Sequence, residues 1–329
     1  MSKEAVLRLL TETFDYVSGE RMSACLGVSR AAVWKYIDAL RESGYEIEAK
    51  TRRGYRLRAC PDTPTGEAIR PLLASEGFCS EIIYLDEVDS TNSYLKRLAA
   101  DGAAHGTVVI ANAQTGGRGR LGRSFVSEPG KGLFFSLLLR PEGEAARNLT
   151  TLTSLTAVCV CEAIAAVCDV EPCIKWVNDI LVGDRKLCGI LLEMGMVAEL
   201  RQVDYVVAGV GINVHYQAED FPSEVRDRVT SLSMLTDKPV SRAGLTAALI
   251  DVLAQMYGSL AEPGDYVERY RALCTTIGRE IRILRGDESR PAKALGIADD
   301  CGLIVRYPDG GEEILYYGET SIRGAEGYI

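Results

Sequence analysis

Residues 116–123 read Gly-Gly-Arg-Gly-Arg-Leu-Gly-Arg, directly after the strand-like run Thr107-Val108-Val109-Ile110-Ala111-Asn112-Ala113-Gln114. Four glycines and three arginines in eight positions cannot pack a core. Glycine lets a backbone approach a ligand closely and take positive φ. Arginine offers a fixed fork of donors for carboxylate or phosphate oxygens. The stretch reads most simply as an anion clamp. Gly117-Arg118-Gly119-Arg120-Leu121-Gly122 satisfies G-x-G-x-x-G literally, but the dinucleotide-binding fold also needs a helix beginning inside the motif. The chain continues as Ser124-Phe125-Val126-Ser127-Glu128-Pro129-Gly130-Lys131-Gly132, where a proline and two glycines disfavour a helix. Leu133 to Leu139 is then short and apolar, a strand. No Gly-Lys-Ser/Thr closes the run, so a Walker loop fails too. The plain alternative is a flexible, exposed basic loop; the arginine density and flanking strands favour the clamp.

Length and composition bound the rest. A chain of 329 residues predicts two or three domains. An apolar fraction of 47% with 25% charged residues is that of a soluble globular protein. No apolar run reaches the roughly 18 residues of a membrane helix, because Thr156 to Val170 is broken by Glu162 and Asp169. Ala5-Val6-Leu7 is followed at once by Arg8, which does not make a signal-peptide core. A cytoplasmic protein without a membrane partner is expected. The ten cysteines include no C-x-x-C pair and there are only two histidines, His105 and His215, so a structural zinc site is not expected. The net charge of −9 hides an asymmetry: residues 1–60 carry eleven Lys/Arg against eight Asp/Glu, leaving −12 on the remainder. One basic module on an acidic body fits this better than a pure nucleic-acid binder.

That basic module reads as three helices and a hairpin. Lys3 to Phe14 carries Val6, Leu9 and Leu10; Ser18-Gly19-Glu20 opens a second helix that Gly27 ends; Ser29 caps a third, Arg30 to Ser43. This is helix–turn–helix spacing. Tyr45–Glu48 and Tyr55–Arg58 form a hairpin whose tip is Lys50-Thr51-Arg52-Arg53-Gly54, a basic wing. Ser29-Arg30-Ala31-Ala32-Val33-Trp34-Lys35 resembles the recognition helix of winged helix–turn–helix regulators. Ser29, Arg30, Ala31, Trp34, Lys35, Arg52 and Arg53 are the DNA-contact candidates, preferred over a small interaction module because tip and net charge agree.

Residues 1–60 are thus expected as the winged helix, 61–66 as a linker with two prolines, 67–275 as the central domain and 276–329 as a C-terminal domain. The central region alternates strands (82–85, 107–114, 133–139, 174–176, 180–182, 188–194, 205–210) with helices (92–100, 148–167, 243–261, 266–274), an α+β arrangement around a mixed or mainly antiparallel sheet. From Gly278 onward only short strands remain, at 280–284, 292–297, 303–306 and 313–316, with Gly-Asp and Pro-Asp-Gly-Gly turns. A small β-barrel, SH3-like, is expected there.

Three further pieces carry chemistry. Lys175-Trp176-Val177-Asn178-Asp179-Ile180 and Asp184-Arg185-Lys186-Leu187-Cys188-Gly189-Ile190 bracket a strand pair with charges. Asp89-Ser90-Thr91-Asn92 offers hydroxyl and amide groups at a helix start, where a cap alone would also explain them. Gly209-Val210-Gly211-Ile212-Asn213 places glycines at a strand end. Taken in order with QTGGRGRLGR, these stretches resemble the biotin–protein ligase family. With the winged helix in front, the chain resembles the bifunctional type, ligase and biotin-operon repressor in one. The resemblance covers essentially the whole chain, including its Gly318-Glu319-Thr320-Ser321-Ile322-Arg323 ending.

The resemblance implies a two-step reaction: biotin and MgATP give biotinyl-5′-AMP, which acylates a lysine of a biotin carboxyl carrier domain. It implies Lys186, Arg118 and Arg120 as catalytic cations offsetting repulsion between biotin carboxylate and α-phosphate. It implies Ser90, Thr91, Asn92, Gln114, Gly117, Gly119 and Gly189, with those cations, around biotin. For ATP it implies Arg123, Phe125, Lys175, Asn178, Asp179 and Asn213 beside the arginines, with Asp179 near Mg²⁺ and no tightly bound metal. Operator DNA and adenylate-driven homodimerisation follow from the bifunctional type. Two positions depart from the family: Val177 stands where proline is usual, predicting a less rigid turn, and Phe125 stands where some members carry tryptophan. Competing readings are a nucleotide-sensing winged-helix repressor, a ligase without operator binding, and a lipoate ligase-like enzyme.

Overall fold

The computed structural model describes residues 3–11, 13, 15–75, 77–197, 202–262, 264–285, 288–316 and 320–324. It opens with α1 (Lys3–Thr11), α2 (Gly19–Leu26) and α3 (Arg30–Glu42), followed by β1 (Glu46–Lys50) paired antiparallel with β2 (Gly54–Ala59). The expected end of the first helix, Phe14, lies outside the described residues. Ser18 and Ser29 cap α2 and α3 by accepting from the N–H groups of Arg21 (3.1 Å) and Ala32 (3.2 Å). Gly27 ends α2 at φ +64°. Val33, Ile37 and Leu40 recur along α3 on one face and meet Leu7, Leu10 and Met22 in a core of their own. Gly54, at φ +106°, is where the hairpin meets the body. A Cβ there would lie 2.1 Å from Val17 O, and the neighbouring Tyr55 exchanges two backbone hydrogen bonds with Val17.

The linker is docked rather than loose. Asp62 accepts from Arg242 Nε (2.8 Å) and lies 2.8 Å from His215 Nε2, while Ser241 Oγ donates to Pro61 O (2.7 Å). Arg242 is buried and also reaches Asn112 Oδ1 (3.1 Å).

Beyond the linker come α4 (Gly66–Ile69), β3 (Glu81–Val88), α5 (Thr91–Ala100), β4 (Thr107–Gln114), β5 (Gly132–Leu139), α6 (Gly143–Arg147) and α7 (Leu152–Val167). Then follow β6 (Cys173–Lys175), β7 (Asp179–Val182), β8 (Arg185–Val197), β9 (Gln202–Asn213), α8 (Arg242–Tyr257) and α9 (Gly264–Leu273). The seven strands lie in the order β3-β4-β5-β9-β8-β7-β6. The β3–β4 pair is parallel and the other pairs are antiparallel, so the sheet is mixed. Strand alternation divides its side chains. Val108, Ile110 and Leu137 face the core built with α7 and α8, and Val109, Leu138 and Val207 face Leu95 and Ala99 of α5. With both faces covered, β5 is buried throughout and reads as a continuous apolar run.

Two helical segments, Leu149–Val167 and Arg242–Ala261, are long and apolar enough to cross a membrane by length and composition alone, which the broken run at Glu162 did not suggest. Buried side chains of both, Leu155 and Leu249 among them, belong to the central core.

The C-terminal strands are β10 (Glu280–Arg285), β11 (Glu288–Ile297), β12 (Leu303–Arg306), β13 (Glu312–Leu315) and β14 (Thr320–Gly324). They form an open antiparallel sheet, β13-β12-β11-β10-β14. The expected barrel is not seen closed: β13 and β14 sit on opposite edges, and no ladder joins them among the described residues. Turn residues fix the hairpins, but closure would need a non-local pairing that turns do not encode. Of the 318–323 ending, Gly318 and Glu319 lie outside the described residues. The sheet shares its apolar face with the central core, and Trp176 Nε1 donates to Cys301 O (3.1 Å) across the junction.

Candidate active site

A cleft opens where β4, β5, β9 and β8 meet the start of α5 and the glycine loop. Phe134 and Phe135 of β5, Gly209 and Gly211 of β9, and Gly189, Ile190 and Leu191 of β8 line it. The glycines are required by close approach: a Cβ on Gly209 would lie 2.2 Å from Asn92 Oδ1, and one on Gly211 would lie 2.8 Å from the Phe125 ring. Phe125 packs edge-on to Phe134 with ring centroids 6.4 Å apart, so the cleft keeps an aromatic face at this position.

Its polar wall is the Asp89–Asn92 turn against Gln114. Ser90 is the N-cap residue of α5, yet its side chain makes no cap hydrogen bond. Gln114 Oε1 does the capping, accepting from Thr91 N–H at 2.9 Å, while its Nε2 donates to Ser127 Oγ at 2.9 Å. Asp89 anchors the turn. The Arg97 fork donates to both its oxygens (2.9 and 3.0 Å) and holds its carboxyl at about 2. Asp89 is therefore a charged clamp and not a proton donor.

The cationic wall comes from Arg118, Arg120 and Lys186. The glycine loop is a tight hairpin: Phe125 N–H donates to Gly117 O (2.9 Å) and Gly119 N–H to Arg123 O (2.7 Å). A Cβ on Gly117 would lie 2.4 Å from Phe125 O. Arg120 donates to Asn178 Oδ1 (3.1 Å), stapling the loop to the turn after β6. Lys186 pairs with Asp179 at 2.6 Å, both largely buried. The Trp176–Val177 peptide is cis. The expected looseness at Val177 is not seen: Tyr270 donates to Val177 O (3.2 Å), Trp176 N–H to Thr276 Oγ1 (3.0 Å), and Asn178 Nδ2 to Ile190 O (2.8 Å).

Of the residues singled out in the sequence, Ser90, Thr91, Asn92, Gln114, Arg118, Gly119, Arg120, Phe125, Asn178, Lys186 and Gly189 come together in this cleft. Gly117 stands behind it and Asp179 reaches it through Lys186. Arg123 is exposed on the hairpin, Lys175 is buried, and Asn213 is buried with Nδ2 on Thr230 O (2.9 Å); none of these three lines the cleft. Sequence reasoning missed Phe134, Phe135 and the buried Ser136 beneath them. The signal was there: one hydroxyl inside an apolar strand asks for a partner. In the winged helix, Arg30, Ala31, Trp34 and Lys35 are exposed on α3, Trp34 at 54%. Arg53 is held by Asp15 (3.0 and 3.1 Å), whereas Arg52 stands exposed beside it.

Residues 84–213 match the Biotin/lipoate A/B protein ligase family, residues 3–56 an HTH domain, and residues 276–323 the Biotin protein ligase C terminal domain. The bifunctional ligase/repressor BirA of Bacillus spizizenii is 37% identical over 302 residues, 91% of this chain and 92% of its own length. The chain belongs to the biotin protein ligase family. The bifunctional ligase/repressor BirA of Escherichia coli is 29% identical over 319 residues, covering 95% of this chain and 94% of its own. Among solved structures, a biotin protein ligase from Aquifex aeolicus in complex with biotin and ATP superposes with a TM-score of 0.65 at 29% identity. It covers 75% of this chain and all of that one. Against this family, the dinucleotide-binding alternative has no support: β5, not a helix, follows the glycine hairpin.

Proposed function

We propose that this chain activates biotin with MgATP to biotinyl-5′-AMP and transfers the biotinyl group to one lysine of a biotin carboxyl carrier domain. The observation that carries this reading is one cleft holding both a neutral polar wall (Ser90, Thr91, Gln114) and three cations (Arg118, Arg120, Lys186) over an apolar floor. A cyclic urea fits the first, and a carboxylate meeting a phosphate fits the second. In the first step a biotin carboxylate oxygen bonds to the α-phosphorus and pyrophosphate leaves. Lys186, a compact ammonium, bridges the two anions, and the arginines stabilise charge developing on phosphate. In the second step the neutral ε-amine of the acceptor lysine attacks the acyl carbon and AMP departs. Phe125 offers the adenine an aromatic face. Arg123, Lys175 and Asn213 serve ATP from outside the residues that line the cleft. Asp179 is a single carboxylate paired with Lys186, and no three His, Cys, Asp or Glu converge among the described residues. Mg²⁺ is commonly held by one or two carboxylates together with substrate phosphates, so Asp179 would help hold the ion that arrives with ATP.

The winged helix makes the chain a biotin-dependent repressor acting in the cytoplasm, with the exposed face of α3 and Arg52 on operator DNA. Closure of the loops on adenylate promotes a homodimer that matches a two-fold operator. Residues 1–60, 61–66, 67–275 and 276–329 form the DNA-binding, linker, catalytic and C-terminal units. The last is a small SH3-like β-barrel, a reading supported by the register shift between Ala294 and Gly296, since a bulge bends its strand.

The test mixes the chain with ATP, a carrier domain and either biotin or lipoate. Biotin on one carrier lysine is the expected product; lipoylation instead, or no transfer, sinks the reading. Operator binding that ignores biotin and ATP sinks the repressor part.

A further inference from the structure

Asn92 lines the cleft, but its amide is spent inside the protein. Both Nδ2 hydrogens are donated, to Leu191 O at 3.1 Å and to Glu193 Oε2 at 3.0 Å. Both partners can only accept, so the amide has one orientation. Glu193 is held in turn by Lys96 through its other oxygen. Asn92 Oδ1 therefore faces Ser136 Oγ, 2.6 Å away.

Ser136 is fully buried and touches two more groups through this hydroxyl chain. Its oxygen lies 2.8 Å from Thr91 Oγ1, which lies 3.2 Å from Gln114 Oε1. Three contacts share two hydroxyl protons. Asn92 Oδ1 has none to give, so the Ser136 proton goes there. Thr91 Oγ1 also accepts from the Ser136 hydroxyl at 2.8 Å, and Thr91 gives its own proton to Gln114 Oε1 at 3.2 Å. The buried hydroxyl of Ser136 thus serves both Asn92, which Glu193 orients, and Thr91, whose own proton is committed to Gln114, and bonds joined in this manner reinforce one another. Thr91 is left with a lone pair for the cleft. Gln114, with one Nε2 hydrogen on Ser127, has its second left to donate.

We propose that Ser136, Asn92 and Glu193 are positioning residues that fix Thr91 as an acceptor beside the Gln114 donor, so that the wall selects a ligand presenting N–H and C=O side by side. None of the three needs to touch the ligand. The proposal rests on the biotin reading above, because a cyclic urea is the group so presented. A dithiolane ring offers neither.

The test measures dissociation constants of biotin, desthiobiotin (the ureido ring without the thioether) and lipoate for the full chain, for Ser136→Ala and for Glu193→Gln. The amide introduced by Glu193→Gln can satisfy Asn92 or leave Lys96 its acceptor, but not both, so it weakens the relay while keeping shape. Biotin and desthiobiotin should weaken together, by about tenfold in Ser136→Ala and about threefold in Glu193→Gln, with lipoate and ATP unchanged. Lipoate weakening equally would mark a general loss of shape and overturn the relay. A biotin preference that survives both variants unchanged overturns the relay alone. A wild-type chain with no preference for biotin over lipoate overturns the ligand reading, and the relay with it.

Discussion

Asp62→Asn tests whether the linker is held to the ligase body by charge. Burial by itself would raise the Asp62 pKa; hydrogen bonds from His215 and Arg242 outweigh it and hold the carboxyl down at about 2 against an ordinary 3.8. That drop corresponds to roughly 2 kcal/mol of stability. The Asp62 side chain is 43% exposed, and solvent screening reduces this to about 1 kcal/mol. The variant also turns one acceptor oxygen into an amide facing donors, beside an Arg242 that is only 4% exposed. That adds about 1 kcal/mol. A total near 2 kcal/mol lowers Tm at pH 7 by about 4 °C. The sign with pH follows from a depressed carboxylate. The charge-dependent part is complete above about pH 5 and is lost as pH falls through 4 toward 2, with roughly half left at pH 3. Thermal unfolding of both proteins at pH 7 and pH 3 checks this, with cleavage within residues 61–66 as a local probe. Equal stability at pH 7, or a gap that does not shrink at pH 3, would refute the charge-held linker.

Three further outcomes are expected. Lys186→Ala should slow pyrophosphate release at saturating biotin and ATP by about 10²–10³-fold, because a charge on the reacting oxygens is gone; a loss below threefold would remove Lys186 from the chemistry. Arg120→Gly cuts the staple to Asn178, so adenylate should escape and label lysines of bystander proteins, scored by mass spectrometry; labelling confined to the carrier lysine counts against loop retention. Gly209→Ala puts a methyl 2.2 Å from the site of Asn92 Oδ1. Biotin affinity should fall by about tenfold or more, as expected for a disturbed buried network; unchanged biotin titration would show that α5 gives way freely.

Local order was legible because local rules set it. Ser29 and Gly27 punctuate the helices where their chemistry predicts, and the strands at Thr107–Gln114 and Leu303–Arg306 begin and end as read. The site was legible as a set of polar and basic pieces, but not as an arrangement. Gly209 and Gly211 sit against Asn92 and Phe125 because β9 inserts between β5 and β8, a pairing no local pattern encodes. The same limit holds at the C-terminus, where turn residues announced hairpins and left closure unspecified. Asn92 shows a subtler limit. An amide at a helix start reads as ligand-facing, and only its partners reveal that both hydrogens are already committed.

The linker and the cleft share strands, and this gives the two halves of the protein a physical connection. Arg242, on Asp62, reaches Asn112 of β4 and Gly132 O at the start of β5, while His215 follows the end of β9. Two residues beyond Asn112 is Gln114; two beyond Gly132 is Phe134; six before His215 is Gly209. Strands are stiff along their length, so a ligand that shifts β4, β5 or β9 against one another shifts the anchors of Asp62. The winged helix has its own core, against which Leu72 packs, and beside that anchor its Tyr45 O–H donates to Ala68 O at 3.1 Å. It can therefore be re-aimed as a unit without being unfolded, and Asp62→Asn should lower the stability of the joint more than that of either core.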